Sequence, residues 1–147
     1  MILDGLFFIN DVDVYKTYGV YLCEDKPEDQ TNYSALLRPS DGKTLEAVSY
    51  PERNGESLPA SISVKREPRD VTLKLAIVAD TSAEWFRRYR AFLDFIRSGW
   101  LNLRLPEIAL TFRMHYKACK GYDHLTSFDG YVAGKIQITL REPEPTI

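Results

Sequence analysis

Along the second half of the chain, hydrophobic and polar residues alternate with two clear periods. Val71, Leu73, Leu75 and Ile77 alternate with Thr72, Lys74, Ala76 and Val78. Leu101, Leu103 and Leu105 alternate with Asn102 and Arg104, and Leu110, Phe112, Met114, Tyr116 and Ala118 with Thr111, Arg113, His115 and Lys117. Ile136, Ile138 and Leu140 close the series. A period of two places one face of each segment in a core and the other in water, which suits antiparallel strands better than a parallel sheet covered on both faces. Between the first two segments the period changes. Trp85, Phe86, Tyr89, Phe92, Leu93 and Ile96 recur every three to four residues, which predicts an amphipathic helix over about 82–98. Thr81 is its N-cap, Glu84 stands where a capping box would reach back, and Gly99 supplies the left-handed stop.

The first half is less regular. Leu6-Phe7-Phe8-Ile9, the stretch from Val12 to Leu22, Leu45 to Tyr50 and Ile62 to Val64 read as short strands. The polar stretches 24–34 and 51–60 read as loops, the second with a strong turn signal at Asn54-Gly55. Gly121-Tyr122-Asp123 reads as a further turn. The Pro-rich tail Arg141-Glu142-Pro143-Glu144-Pro145-Thr146-Ile147 is expected to leave the sheet, because proline cannot donate to a ladder. The fold class expected is mainly β with one helix: an antiparallel split β-barrel or sandwich forming one domain over 1–147, with 142–147 as its tail.

Composition narrows the function classes. Of 147 residues, 44% are hydrophobic and 12% aromatic, enough apolar surface to exclude a disordered chain. Nineteen Lys and Arg against 21 Asp and Glu give a formal charge of −2, far from the basic balance of a general nucleic-acid binder. No apolar run reaches the ~18 residues of a membrane span and the first residues lack a signal-peptide pattern, so a soluble protein made in a cytoplasm is expected. Cys23 and Cys119, far apart and outside any CxxC pair, read as free thiols.

Candidate chemistry is sparse. His115 and Cys119 share a predicted strand but stand about 13 Å apart along it, too far to hold one metal ion. His124 follows the expected turn and reads as solvated. Asp11 and Asp13, with Glu24, Asp25, Glu28 and Asp29, read as solvated acidic loops without the calcium-loop pattern. No Gly-rich phosphate cradle occurs. The expectation is no catalytic residue, no cofactor and no metal. Arg87, Arg88, Arg90, Asp94 and Arg97 mark the outer helix face, read as a solvated surface or a subunit contact.

The order of the elements is similar to that of a known family. Arg53-Asn54-Gly55 lies in a loop after the early strands, the strand 71–78 runs directly into the helix, Tyr116-Lys117-Ala118 lies on the strand beyond it, and Glu142-Pro143 forms the exit. This resembles the N-terminal domain of the distal tail proteins of long-tailed bacteriophages and, more broadly, the tail-tube-like split β-barrels. The chain departs from the family's loop at Pro51-Glu52, where a glycine usually precedes the arginine.

The resemblance implies a structural component of a phage or prophage tail and not an enzyme. Copies of the chain would assemble into a ring, six in number by the resemblance, that links tail tube to baseplate and leaves a channel for DNA. It implies partners among other tail or baseplate proteins, no sequence-specific nucleic-acid binding and no membrane. The protein would reside in the virion tail, and in the bacterial host's cytoplasm during assembly. With 147 residues there is no room for the carbohydrate-binding-like domain that many members carry. The expected oligomer contacts are Arg53, Asn54, Gly55 and Glu56 in the loop, and Arg87 and Arg90 on the helix. Tail-tube and tail-completion proteins share the barrel. A half-open barrel rich in Tyr and Phe is also the shape of a monomeric small-molecule-binding protein.

Overall fold

The computed structural model describes residues 4–24, 26, 29–128 and 130–147, without the side chains of residues 125 and 128. Among them one curled antiparallel sheet forms a half-barrel of seven strands in the order β2-β1-β5-β6-β7-β4-β3. The elements run β1 (Phe8–Ile9), β2 (Val12–Asp13), α1 (Val14–Tyr18), β3 (Val20–Leu22), α2 (Thr31–Leu37), β4 (Arg69–Ala79), α3 (Ser82–Ile96), β5 (Leu101–Leu105), β6 (Leu110–Phe128) and β7 (Tyr131–Glu142). The mainly β class is therefore as expected, and the alternating segments all fall on strands.

The sheet is built around β7. It pairs with β4 without a break from Arg69↔Glu142 to Ala79↔Val132, and with β6 from His115↔Arg141 to Phe128↔Tyr131. The β6–β7 pairing is irregular at three places, Tyr116/Ala118, Cys119/Gly121 and Asp123/Thr126. The expected turn at Gly121-Tyr122-Asp123 is thus a bulged part of one long strand. Glycine inside a strand is as compatible with a bulge as with a turn, and bulges bend a strand and increase its twist. Beyond Met114, β6 leaves β5 and continues against β7 alone.

The buried face carries Leu73, Leu75, Ile77, Leu101, Leu103, Phe112, Met114, Ile136 and Ile138. Helix α3 lays Trp85, Phe92 and Ile96 on it, as its periodicity predicts, with Tyr89 partly buried beside them. The Trp85 Nε1 donates to Ile77 O at 2.8 Å, and its ring sits where a β-carbon on Gly134 would stand, 2.4 Å from Cζ2. Thr81 caps the helix by accepting from the Glu84 amide at 3.2 Å. The Glu84 carboxylate does not reach back to the cap; Arg87 and Arg88 take it instead and hold it at about 2, the Arg87 hydrogen bond contributing most. The helix ends two residues early, at Ile96, with the Arg97 amide bonded to Leu93 O and the Ser98 amide to Phe95 O. Gly99 lies beyond this turn with φ of 144°.

The first half differs most from its sequence reading. The stretch 12–22 is β2, α1 and β3, because Asp13 caps a short helix by accepting from the Tyr15 and Lys16 amides, and Gly19 closes it at φ of 68°. A side chain at Gly19 would be both strained and in collision, its β-carbon 2.4 Å from Val78 O. The loop expected over 24–34 contains the start of α2, whose first amides at Thr31 and Asn32 bond the Glu24 carboxylate. Asp13 and Glu24 are therefore helix caps and not solvated acids; Asp25 and Glu28 lie outside the described residues. Leu45–Tyr50 and Ile62–Val64 form no strands. The segment 41–66 is almost wholly exposed and held by two isolated bridges, Gly42↔Arg66 and Val48↔Ser57. Among the described residues its apolar positions have no ladder partner beyond these bridges, and a strand needs one.

The sheet continues through Arg141 and Glu142, both expected to leave it, and stops before Pro143. Glu142 is fully buried and pairs with Arg69, Nε to Oε1 at 2.7 Å, directly across β4 and β7. The Arg69 guanidinium also donates to Arg38 O at 2.6 Å and lies over the Phe112 ring. The last residues are tied down: Ser40 donates to Ile147 O, and Arg66 to Pro145 O and Thr146 O.

Candidate assembly surfaces

Three surfaces could carry a contact with another chain, and each follows from a local property of the sequence. The first is the outer edge of β6. Over residues 115–128 this strand has β7 on one side and, among the described residues, no strand on the other. The edge exists because β5 is only five residues long while β6 has 19. By contrast, at the β3 end of the sheet the ladder of β4 is continued past the last residue of β3 by a side chain. Asn32, buried on α2, accepts from the Lys74 amide at 2.7 Å and donates to Lys74 O and Cys23 O, so one side chain completes the ladder where β3 ends.

The second surface is the projecting segment 41–66. At its tip, Tyr50 O accepts from the Arg53 amide at 3.1 Å in a turn with Pro51 second, and Gly55 has φ of 74°. Val48 and Ser57 close the tip by exchanging backbone hydrogen bonds. The Arg53 guanidinium stands 5.6 Å from the Tyr50 ring centre. Arg53, Asn54, Gly55 and Glu56 are all exposed, with Val48, Tyr50, Ile62 and Val64 exposed on the same segment.

The third is the outer face of α3. Arg87 and Arg90 are exposed there, Arg87 bonded to Glu84. Arg88, half-buried, instead ties the helix to the sheet through Val78 O at 2.8 Å. The structure thus brings Arg53 to Glu56 together at one tip and leaves Arg87 and Arg90 on another element.

Among the described residues the histidines and cysteines stand on separate partners. His115 stacks edge-on against Trp100, and His124 bonds the Tyr122 hydroxyl at 3.0 Å within β6, not after a turn. Cys119 donates to Gly121 O, and no disulfide joins it to Cys23. Among the described residues, no group of three or more His, Cys, Asp and Glu side chains is placed to hold a metal ion. No described helix is long and apolar enough to cross a membrane.

Sequence reading missed one concavity. A cleft of about 260 Å³ opens between α1, β3 and α2, walled by Tyr15, Tyr21 and Tyr33 and edged by Glu24, Asp29 and Glu107. The Tyr33 hydroxyl donates to Glu107 at 2.6 Å; burial, together with this bond, pushes its phenol up to about 12. Burial likewise raises Tyr21. Burial alone would raise Glu24, but the Thr31 hydroxyl and the Thr31 and Asn32 amides outweigh it and hold the carboxyl low. These residues are scattered over three segments, so no sequence motif marks them.

The half-barrel with α3 packed on its buried face has a distal-tail-like fold. Among solved structures it is similar to the crystal structure of the Dit protein of phage SPP1, described as a paradigm of hub adsorption apparatus in Gram-positive infecting phages. The TM-score is 0.58 at 10% identity, over 95% of this chain and 50% of that one. The chain thus spans about half the length of the protein it resembles. No protein-family model and no curated protein matches the sequence.

Proposed function

We infer that the protein is a structural subunit of a phage or prophage tail, and that copies of it assemble into a closed ring joining tail tube to baseplate around a channel for DNA. The observation that carries this reading is the open edge of β6 over residues 115–128. An exposed edge of this length offers a row of unpaired N–H and C=O groups, a template for a strand from another chain. Because the edge would meet a different part of its neighbour, the contact is heterologous, and a heterologous contact that closes forms a ring. The distal-tail-like fold supports the tail assignment, and the exposed apolar side chains of 41–66 support a covering partner.

In this reading the tip Arg53 to Glu56 is a contact with a neighbouring subunit or baseplate protein, and Arg87 and Arg90 lie in a second contact. The formal charge of −2 suits a conduit, since a strongly basic lumen would retain phosphate. The role is mechanical, with edge pairing in place of an active site.

Hydrogen exchange tests the reading at the strand that carries it. In the dissociated chain, alternate amides over 115–128 should exchange rapidly, and on assembly the same amides should become protected. Assembly that leaves this edge exchanging as before would sink the edge-pairing account.

A further inference from the structure

The cleft between α1, β3 and α2 has a chemistry that edge pairing does not use. Tyr15, Tyr21 and Tyr33 supply aromatic walls, with Tyr15 and Tyr21 edge to face at 6.3 Å between ring centres. Three carboxylates, Glu24, Asp29 and Glu107, edge it, and no Lys, Arg or His is among the described residues that line it; Lys74, outside the lining, acts on Glu24 through its charge. Among the described residues these carboxylates do not form a group placed to hold a metal ion. A compact inorganic ion would leave the rings unused, whereas a soft organic cation uses both features: its charge faces the carboxylates and its alkyl or planar surface lies on the rings.

We propose that this cleft binds an organic cation, a guanidinium or alkylammonium group, held among the rings of Tyr15, Tyr21 and Tyr33 and by the carboxylates of Asp29 and Glu107. The residues divide the work. Glu24 is committed to the first amides of α2, so it contributes charge without being available as a direct partner. Glu107 keeps one oxygen beyond the Tyr33 hydroxyl, which bonds Oε2. A volume of about 260 Å³ is below that of drug-sized pockets and accommodates one headgroup with a short alkyl chain. The proposal does not depend on ring assembly.

The test titrates the full chain with n-butylguanidinium while the ring resonances of Tyr15, Tyr21 and Tyr33 are followed by NMR, with neutral n-butylurea as the isosteric control. Saturable shifts of these rings at about millimolar concentration are expected, with n-butylurea about tenfold weaker or worse. The double variant Asp29→Asn, Glu107→Gln should lose about tenfold in affinity while its melting temperature stays at the parent value, because both residues are at the cleft edge. N-acetyl-arginine amide separates the two sources of such a group. Binding within a few-fold of n-butylguanidinium assigns the cleft to a side chain presented by another protein; exclusion of the bulkier compound assigns it to a free small cation. Equal binding of n-butylurea, an undiminished affinity in the double variant, or no saturable shift of the three rings would each overturn the proposal.

Discussion

Trp85 occupies the space that a β-carbon at position 134 would need, so the packing of helix on sheet is decided at one glycine. Gly134→Ala is expected to lower stability by about 1–3 kcal/mol, the usual range for overpacking, measured by chemical denaturation. Phe92→Ala, at a fully buried ring, should cost about 3–5 kcal/mol. Removing one half of the Arg69–Glu142 pair leaves the other charge buried, and Glu142→Gln or Arg69→Met should cost about 3–5 kcal/mol each. At this scale the apolar residues were legible in the sequence. Trp85, Phe92 and Ile96 have a periodicity set by their own helix. Asn32, Glu24 and Glu142 were not legible, because a polar side chain's role depends on partners such as Lys74 or Arg69, tens of residues away.

Elements differ in legibility for the same reason. Helix α3 is defined locally, by its Thr81 cap and an apolar stripe along its 15 residues, and its start falls where that cap predicts. Helix α1 is five residues long and held by Asp13, Gly19 and contacts with β3, signals too short to separate from a strand. The apolar runs in 41–66 look like strands, but among the described residues they pair only through isolated bridges. Across β4, β6 and β7, Asp70 gathers Lys117 at 2.6 Å and Arg141 at 3.0 Å. The Lys117 hydrogen bond, followed by that of Arg141, holds the Asp70 carboxyl below its ordinary value. A lowered acid stabilises the fold above the unfolded carboxyl's pKa of about 3.9, and the contribution is lost as pH falls through the folded value. The group is partly exposed, so Asp70→Asn should cost no more than about 1 kcal/mol near pH 7. Parent and variant melting curves should converge in acid; a gap that persists there would assign the effect to packing. At the projecting tip, the paired changes Arg53→Ala and Asn54→Ala should leave the melting temperature unchanged and weaken assembly, since both side chains are exposed. Equal loss of stability and assembly would place the tip in the fold instead.

For the whole molecule, the half-barrel leaves β6 without a partner strand over 115–128 among the described residues, and the segment 41–66 adds a second surface of exposed apolar side chains. The alternation of the later strands made a mainly β fold legible, and the order of elements pointed to the distal-tail likeness that the TM-score of 0.58 bears out. The resemblance implies barrel edges left open, but where the open edge lies is not legible, because it arises from the mismatch between a five-residue β5 and a 19-residue β6, and the sequence over Gly121-Tyr122-Asp123 reads as a turn. The central claim is that this edge closes against another copy. Mass measurement in solution, by light scattering across a concentration series at tens of micromolar, tests it most directly. The account predicts a single closed species at a fixed multiple of the 16.9 kDa chain, unchanged in size as concentration rises. A 16.9 kDa monomer throughout, or a mass that grows without limit, would contradict it.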